Sequence, residues 1–129
     1  MEYTLEQLKT ALDTLDKETE QFLKNNSLVE LPDFGDLYDK KLWGENYRED
    51  QNYYEQVGLI KSRYFGLKSL LIKLKNESAN VKFNGFVGLI ERADETIRRL
   101  ESISFASKTR IDFYQNVMKV ISNMSYGDY

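Results

Sequence analysis

Apolar residues recur along this chain every three or four positions, which is the period of an amphipathic α-helix. The first such segment, residues 1–26, opens with Thr4 and Gln7, whose spacing is that of a capping box that begins a helix. Acidic residues occupy its outer face, so the pattern predicts an acidic N-terminal helix that buries one side. Its apolar positions, spaced in threes, fours and a seven, are Leu5, Leu8, Leu12, Leu15 and Phe22.

Two longer segments, residues 47–78 and 84–124, carry apolar residues in a strict four–three alternation. The second contains eleven in-register positions, and two of them, Ser104 and Ser107, form a small polar layer. An apolar seam with this period predicts a helix that winds around a partner helix. Small polar layers within a seam fix its register, admit a close crossing or bond back to helix carbonyls. We therefore expect two long helices joined by a bend.

The segment before these two helices, residues 27–46, contains the only proline of the chain. The residue that precedes a proline is biased away from helix, so we predict a linker around a short helix here. Trp43, near the end of this segment, is expected to cover one end of the core, with ligand stacking as the alternative.

The predicted fold is all-α and comprises a single domain over residues 1–129. It is a long antiparallel helical hairpin of residues 47–78 and 84–124, with the N-terminal helix packed against it as a third helix. The last helix is expected to extend beyond its partner, which would leave part of its apolar seam exposed to water. Self-association into a homo-oligomer would cover that seam. The residues predicted to mediate it are Ile111, Tyr114, Met118 and Ile121.

The composition excludes several classes of site. The chain has no His and no Cys, so it offers no zinc finger, no Ser–His–Asp triad and no haem held by the usual side chains. We therefore predict a protein that is not an enzyme and uses no cofactor or metal. The polar N-terminus and the lack of an apolar run of about 20 residues predict a cytoplasmic protein that does not enter a membrane. If a phage encodes the chain, this is the host cytoplasm.

Two short features match small-molecule sites but have simpler structural explanations. Glu91, Asp94 and Glu95 form a carboxylate cluster, but flanking arginines favour helix ion pairs such as that between Glu95 and Arg99. Residues 85–88 have the spacing of a G-x-x-G loop that could hold a phosphate. Two glycines at this spacing are common, and the start of a helix is the simpler prediction.

Charge is distributed unevenly along the chain, although the net charge is only −3. Residues 1–57 carry 14 acids and 6 bases, whereas residues 58–129 carry 7 acids and 12 bases. Either the second part presents a basic face to a polyanion, or the acidic first part folds against basic helices. Cations beside aromatic rings would make a platform for single-stranded nucleic acid. The candidate binding residues are Lys61, Arg63, Tyr64, Lys68, Lys75 and Lys108. In the other interpretation the lysines beside the seam shield the core and pair with acids of a neighbouring helix.

Two stretches carry a resemblance to a known family. Residues 59–65, LIKSRYF, place two bases one residue apart before aromatic residues, and residues 88–113 form an amphipathic run with an aromatic-x-x-Lys unit. Both resemble the phage UvsY family of recombination mediators. The resemblance implies a non-catalytic, ring-like oligomer that binds single-stranded DNA and helps to load a recombinase. It implies that Lys61 and Arg63 contact DNA, with Lys108 as a lesser candidate.

A second class of function stays open beside this one. The chain could be a small phage-type protein-binding module, such as an inhibitor, an adaptor or a virion component. Such a module would bind a protein partner through its acidic face or its helical seam, without nucleic acid.

Overall fold

The computed structural model of the chain describes residues 3–26, 40–77 and 83–127. Within these ranges the structure is helical: α1 spans Leu5–Asn25, α2 spans Lys40–Glu77 and α3 spans Phe83–Gly127. The predicted all-α class is therefore confirmed. In this part of the chain, none of the helices combines the length and the apolar character needed to cross a lipid bilayer.

Helix α1 begins at the predicted capping box. The backbone N–H of Gln7 donates to the Thr4 hydroxyl at 3.2 Å, and the backbone N–H of Thr4 donates to the Gln7 side-chain oxygen at 2.9 Å. At the other end, the Asn26 side-chain amide donates to the Phe22 carbonyl at 3.0 Å. Both contacts satisfy backbone groups that a helix terminus leaves without an intrahelical partner. The residues that α1 buries are Leu8, Leu12, Leu15 and Thr19.

Helix α2 begins at Lys40 rather than at residue 47, so the last part of the predicted linker is helical. Residues 27–39 and the side chain of Trp43 lie outside what the structure describes, and so does the predicted role of Trp43. Helix α2 contacts α3 at Tyr47, about two turns after it begins. The Gln115 side-chain amide donates to the Tyr47 hydroxyl at 2.8 Å, and the rings of Tyr47 and Tyr114 meet edge to face.

Helices α2 and α3 run antiparallel and share the core. Lys68 of α2 pairs with Asp94 of α3, whereas Asp50, earlier in α2, pairs with Arg110, later in α3. Along the contact, residue numbers therefore decrease on one helix as they increase on the other. The buried residues that the two helices contribute to the core are Val57, Tyr64, Leu71, Leu74, Phe86, Leu89, Ala93, Ile97 and Leu100.

Helix α1 packs along one side of the α2–α3 pair. The ring of Phe22 stacks on Tyr53 of α2, with centroids 5.8 Å apart. Toward α3, the last ion pair of α1 among the described residues joins Glu20 to Arg99. Beyond Arg99, α3 packs mainly against α2. Among the described residues, α1 therefore covers one side of the α2–α3 pair and leaves the opposite side uncovered.

The last helix does not expose the part of its seam that was predicted to mediate self-association. Ile111 and Tyr114 are buried within the monomer, and Met118 is partly buried. The reason is that α2 lies against these positions, since Asp50 pairs with Arg110 and the ring of Tyr47 meets the ring of Tyr114. The side chain of Ile121 lies outside the described residues. A homo-oligomer formed through Ile111 and Tyr114 would have to open the monomer first.

The polar layer in the α3 seam is present, and its two members differ. The Ser107 hydroxyl donates to the Ile103 carbonyl at 2.9 Å, which is the bond back to the helix that such residues commonly make. The Ser104 hydroxyl is also buried, but no hydrogen-bond partner for it exists among the described residues.

Candidate nucleic-acid interface

The predicted binding residues do not all lie on one surface. Lys61, Lys68 and Lys75 recur every seven residues, so they share one flank of α2. This flank borders α3 at Lys68. Lys68 Nζ lies 2.6 Å from Asp94 Oδ1 of α3. Lys108 lies on α3, where its ammonium group pairs with Asp112 one helical turn later at 3.1 Å. This hydrogen bond is the main cause that raises the pKa of Lys108.

Arg63 lies on the other side of α2, toward α1. Its guanidinium Nη1 lies 2.7 Å from the Glu18 carboxylate, and both side chains are about half exposed. It therefore does not share a face with the three lysines. The structure separates the two bases that the resemblance assigns jointly to DNA.

Tyr64 must be removed from the list of stacking residues, because its side chain is completely buried. Its hydroxyl donates to Asp16 Oδ1 at 2.6 Å and lies 3.2 Å from the Thr19 hydroxyl. Burial is the main cause that raises the pKa of Tyr64, and the hydrogen bond to Asp16 raises it further. The ring fills the space between α1 and α2, so no base can reach it while the helices stay packed.

Ion pairs join the acidic face of α1 to both other helices. Arg92 of α3 reaches two carboxylates, at 2.9 Å from Asp13 and 2.7 Å from Asp16. Arg99 pairs with Glu20 of α1 rather than with Glu95 one turn before it, which is where the sequence suggested its partner. Part of the charge asymmetry along the sequence is therefore neutralised by contacts between helices.

The structure reveals a face of α2 that the sequence analysis did not single out. Side chains two positions apart on an α-helix point about 200° apart around its axis. Phe65 therefore lies nearly opposite Arg63 and points away from α1. Phe65, Ile72 and Tyr54 are 41%, 38% and 37% exposed, which is high for large apolar side chains. They alternate with lysines in a second four–three register. We call this the open face of α2: Tyr54, Gly58, Lys61, Phe65, Lys68, Ile72 and Lys75.

A second register along α2 was the signal that could have found this face. The apolar seam of α2 runs through Tyr64, and Phe65 entered only as one of the aromatic residues that follow Arg63 in the stretch LIKSRYF. The apolar seam of α2 begins its four–three count at Tyr53, and the same count begun one residue later, at Tyr54, generates the whole open face. Its lysines and Phe65 had already been noticed, but the apolar side chains at positions 54 and 72 had not.

The two features that matched small-molecule sites are part of helix α3. Gly85 and Gly88 lie within the helix, and a Cβ added at Gly85 would meet Leu5 Cδ2 at 3.3 Å. Gly85 thus lets the start of α1 approach closely, and the prediction of a helix start is confirmed. No group of three or more Asp and Glu residues within the described ranges is arranged to hold a metal ion.

Sequence reasoning missed a buried polar cluster between α2 and α3. Asp50 is 1% exposed, and its Oδ2 lies 3.1 Å from Arg110 Nε without the alignment of a hydrogen bond. Arg110 Nη2 donates to the Tyr114 hydroxyl at 3.1 Å. Burial raises the pKa of Asp50 despite the opposing effect of Arg110. The signal was present, because the seam register counted back from Tyr53 lands on Asp50.

Comparisons with known proteins identify no relative of the chain. The chain matches no model of a known protein family, no curated protein and no solved structure. What the chain does is therefore inferred from the charges, exposure and contacts of its own residues.

Proposed function

We propose that this chain is a non-enzymatic helical protein that binds single-stranded nucleic acid along the open face of α2. The observation that supports the proposal best is the alternation of lysines with exposed apolar and aromatic side chains on that face. No acidic residue occurs in α2 between residues 58 and 76, so α2 itself repels no phosphate there. The resemblance to the UvsY family adds the expectation that the protein acts as an oligomer beside a recombinase.

Each side-chain type on the open face has a distinct task in this proposal. The ammonium groups of Lys61 and Lys68 attract phosphates without reading sequence. Phe65 and Tyr54 offer ring faces on which bases can stack, and such stacking is tolerant of sequence because every base has a π-face. Phe65 therefore takes the task that the sequence analysis gave to Tyr64.

One acid of α3 competes with phosphate on this face. Asp94 binds Lys68, and the two side chains are 35% and 29% exposed. Partly exposed ion pairs contribute only about 0–1 kcal/mol, so a phosphate can displace the carboxylate. Replacing Asp94 by Asn should then free the ammonium group of Lys68 and strengthen binding.

The decisive experiment compares two double variants that lose the same charge from different surfaces. Lys61→Ala/Lys68→Ala removes two cations from the open face. Lys9→Ala/Lys17→Ala removes two exposed cations from α1 and serves as the matched control. Fluorescence anisotropy with a labelled oligothymidylate over a salt series measures the affinity of each protein. We expect only the first variant to lose at least tenfold in affinity at low salt, with a salt slope flatter by about 1.4 for two lost contacts.

Three outcomes would contradict the proposal. The first is an absence of binding at low salt, the second is equal loss in the two double variants, and the third is unchanged or weaker binding by Asp94→Asn. Circular dichroism of each variant verifies that the helices remain intact, so that a loss of binding is not a loss of fold.

The ion pairs give specific support to the second class of function, a protein-binding module without nucleic acid. Arg63, Lys68 and Lys108 all have carboxylate partners within the chain, which lowers the charge available to a polyanion. Under this alternative, the open face binds the apolar side of a partner helix. A protein that shows no affinity for the oligothymidylate at low salt would favour it.

A further inference from the structure

Large apolar side chains are exposed along the outer side of α3. Phe105 is 75% exposed, Val120 is 55% exposed and Phe113 is 44% exposed. Isolated apolar residues on a surface need no explanation, but these three recur at helical spacing and form a row. We call this row, with the small and polar residues between its members, the outer stripe of α3: Ser102, Phe105, Thr109, Phe113, Asn116 and Val120.

The outer stripe lies opposite the core face of the same helix. The buried residues Leu100, Ser107 and Ile111 point toward α2. At about 100° per residue, Thr109, in the middle of the stripe, lies roughly 160–200° around the helix from them. The exposure of Phe105 and Val120 indicates that, among the described residues, neither α1 nor α2 covers this side.

We propose that a second copy of this chain covers the outer stripe by antiparallel pairing of the two α3 helices about Thr109. In this arrangement, the numbers of two residues that face each other across the interface add to about 218. Phe105 then packs against Phe113 of the second copy, and Thr109 faces Thr109 of the second copy. The two aromatic pairs lie about 12 Å apart along the helices. This inference specifies the self-association included in the proposed function, at a surface different from the one the sequence suggested.

The charges beside the stripe are self-complementary in the same register. Glu101, Lys108, Asp112 and Lys119 lie on one flank of α3, and antiparallel pairing of identical helices brings equal flanks together. Glu101 then meets Lys119 of the second copy, and Lys108 meets Asp112 of the second copy. A parallel two-fold pairing would instead bring this flank against the opposite flank of the second copy, so that these four residues would not meet one another. Charge complementarity therefore selects the antiparallel arrangement.

Among the described residues, two of these four charged residues have no competing ion-pair partner within their own chain. Glu101 and Lys119 are exposed, and neither forms an ion pair among the described residues. Lys108 and Asp112 already bind each other within one helix, and an exposed pair of this kind exchanges partners at little cost. The flank thus holds two carboxylates and two ammonium groups that a second copy can match one for one.

Disulfide trapping tests the register, because the chain has no Cys of its own. Thr109→Cys places a thiol on the proposed two-fold axis, within reach of the same thiol of the second copy. Asn116→Cys lies on the same stripe and is the matched control, since it would be about 21 Å from its copy, beyond the reach of a disulfide. We expect mild oxidation to yield a covalent dimer of Thr109→Cys and a monomer of Asn116→Cys.

Sedimentation velocity at increasing concentration tests the contacts. The wild type should reach a mass above the 15.2 kDa of one chain, and Phe105→Ser/Phe113→Ser should weaken the association at least tenfold. Leu59→Ser, which changes a 61% exposed leucine of α2, is the control that should leave it unchanged. Glu101→Lys alone should weaken association, and adding Lys119→Glu should restore it.

The proposal is overturned by a wild type that is monomeric at every concentration. It is also overturned if both cysteine variants cross-link equally, which is the result of a parallel pairing, or if the charge exchange fails to restore association. None of these experiments contains nucleic acid. A protein that dimerises as described but does not bind the oligothymidylate would refute the proposed function and leave this inference standing.

Discussion

The hydroxyl of Tyr64 offers a direct test of how α1 is held against α2. Tyr64→Phe removes one oxygen atom from a completely buried side chain and keeps the ring that fills the space between the helices. It thereby deletes the 2.6 Å hydrogen bond to Asp16. It also removes the oxygen atom that lies 3.2 Å from the Thr19 hydroxyl. No charge on the surface changes.

The expected cost follows from the type of hydrogen bond that is lost. A hydrogen bond to a charged group contributes about 1.5–3 kcal/mol to stability, so we expect a loss of about 2 kcal/mol in the free energy of unfolding. The entropy of unfolding is about 2.1 cal/mol/K per residue, which converts this loss into a fall of about 7 °C in Tm for a chain of 129 residues.

Urea unfolding followed by circular dichroism measures the change. Tyr54→Phe is the matched control, because it removes the same atom from a tyrosine that is 37% exposed and should cost almost nothing. Asp16→Asn combined with Tyr64→Phe should cost less than the sum of the two single changes, since the two side chains share the bond. The reasoning is refuted if Tyr64→Phe unfolds at the same urea concentration as the wild type.

Three further changes test other parts of the structure. Gly66→Ala should stabilise α2 by about 1 kcal/mol in urea unfolding, because a Cβ there would meet no atom within 4 Å. Ser104→Ala should be neutral or stabilising, whereas Ser107→Ala should destabilise the protein, because only the second hydroxyl has a hydrogen-bond acceptor. The raised pKa of Asp50 contributes stability that is complete at low pH and is lost as the pH rises through that pKa. The wild type should therefore gain stability relative to Asp50→Asn when the pH of the unfolding series is lowered from about 7 to about 4; a constant difference would contradict this.

The helices themselves were predictable from the sequence because their signals are local. The capping box at Thr4 and Gln7 fixes where α1 begins, and the four–three seam of the last helix spans almost the whole of α3. Both signals depend on residues within one or two turns of each other. The start of α2 at Lys40 was not predicted, because the only proline, at position 32, favoured a linker over residues 27–46.

The misassignment of Tyr64 shows how two signals at one residue should be weighed. Tyr64 is a member of the apolar seam and is also a neighbour of Arg63 in sequence. Adjacent residues on a helix point about 100° apart, so proximity to Arg63 places no ring on the same surface. The seam register does fix the direction of the side chain. Membership of the seam was therefore the stronger signal, and it predicts the observed burial.

The partners of the charged residues could not be predicted for a related reason. Glu95 and Arg99 have the spacing of a helix ion pair, yet Arg99 binds Glu20 of α1. A pair within one helix is worth only a few tenths of a kcal/mol, so a nearby carboxylate on another helix is enough to change the partner. Which carboxylate is near depends on how α1 is rotated against α3, and that is decided by the packing of its leucines.

The open face of α2 and the outer stripe of α3 have a geometric relation that would join the two proposals. The two-fold axis of the proposed dimer points along the flank that carries Lys108 and Asp112, and this is the side of the molecule where Lys68 meets Asp94. Rotation about an axis leaves its own direction unchanged, so both open faces would lie on the same side of the dimer. One strand of nucleic acid could then contact both open faces, and the second contact would form within the complex that the first has already made. The disulfide-linked Thr109→Cys dimer should therefore bind an oligothymidylate of about 30 nucleotides much more tightly than one of about 8, which fits a single site. Equal affinity of the linked dimer for the two lengths would show that the open faces do not act together.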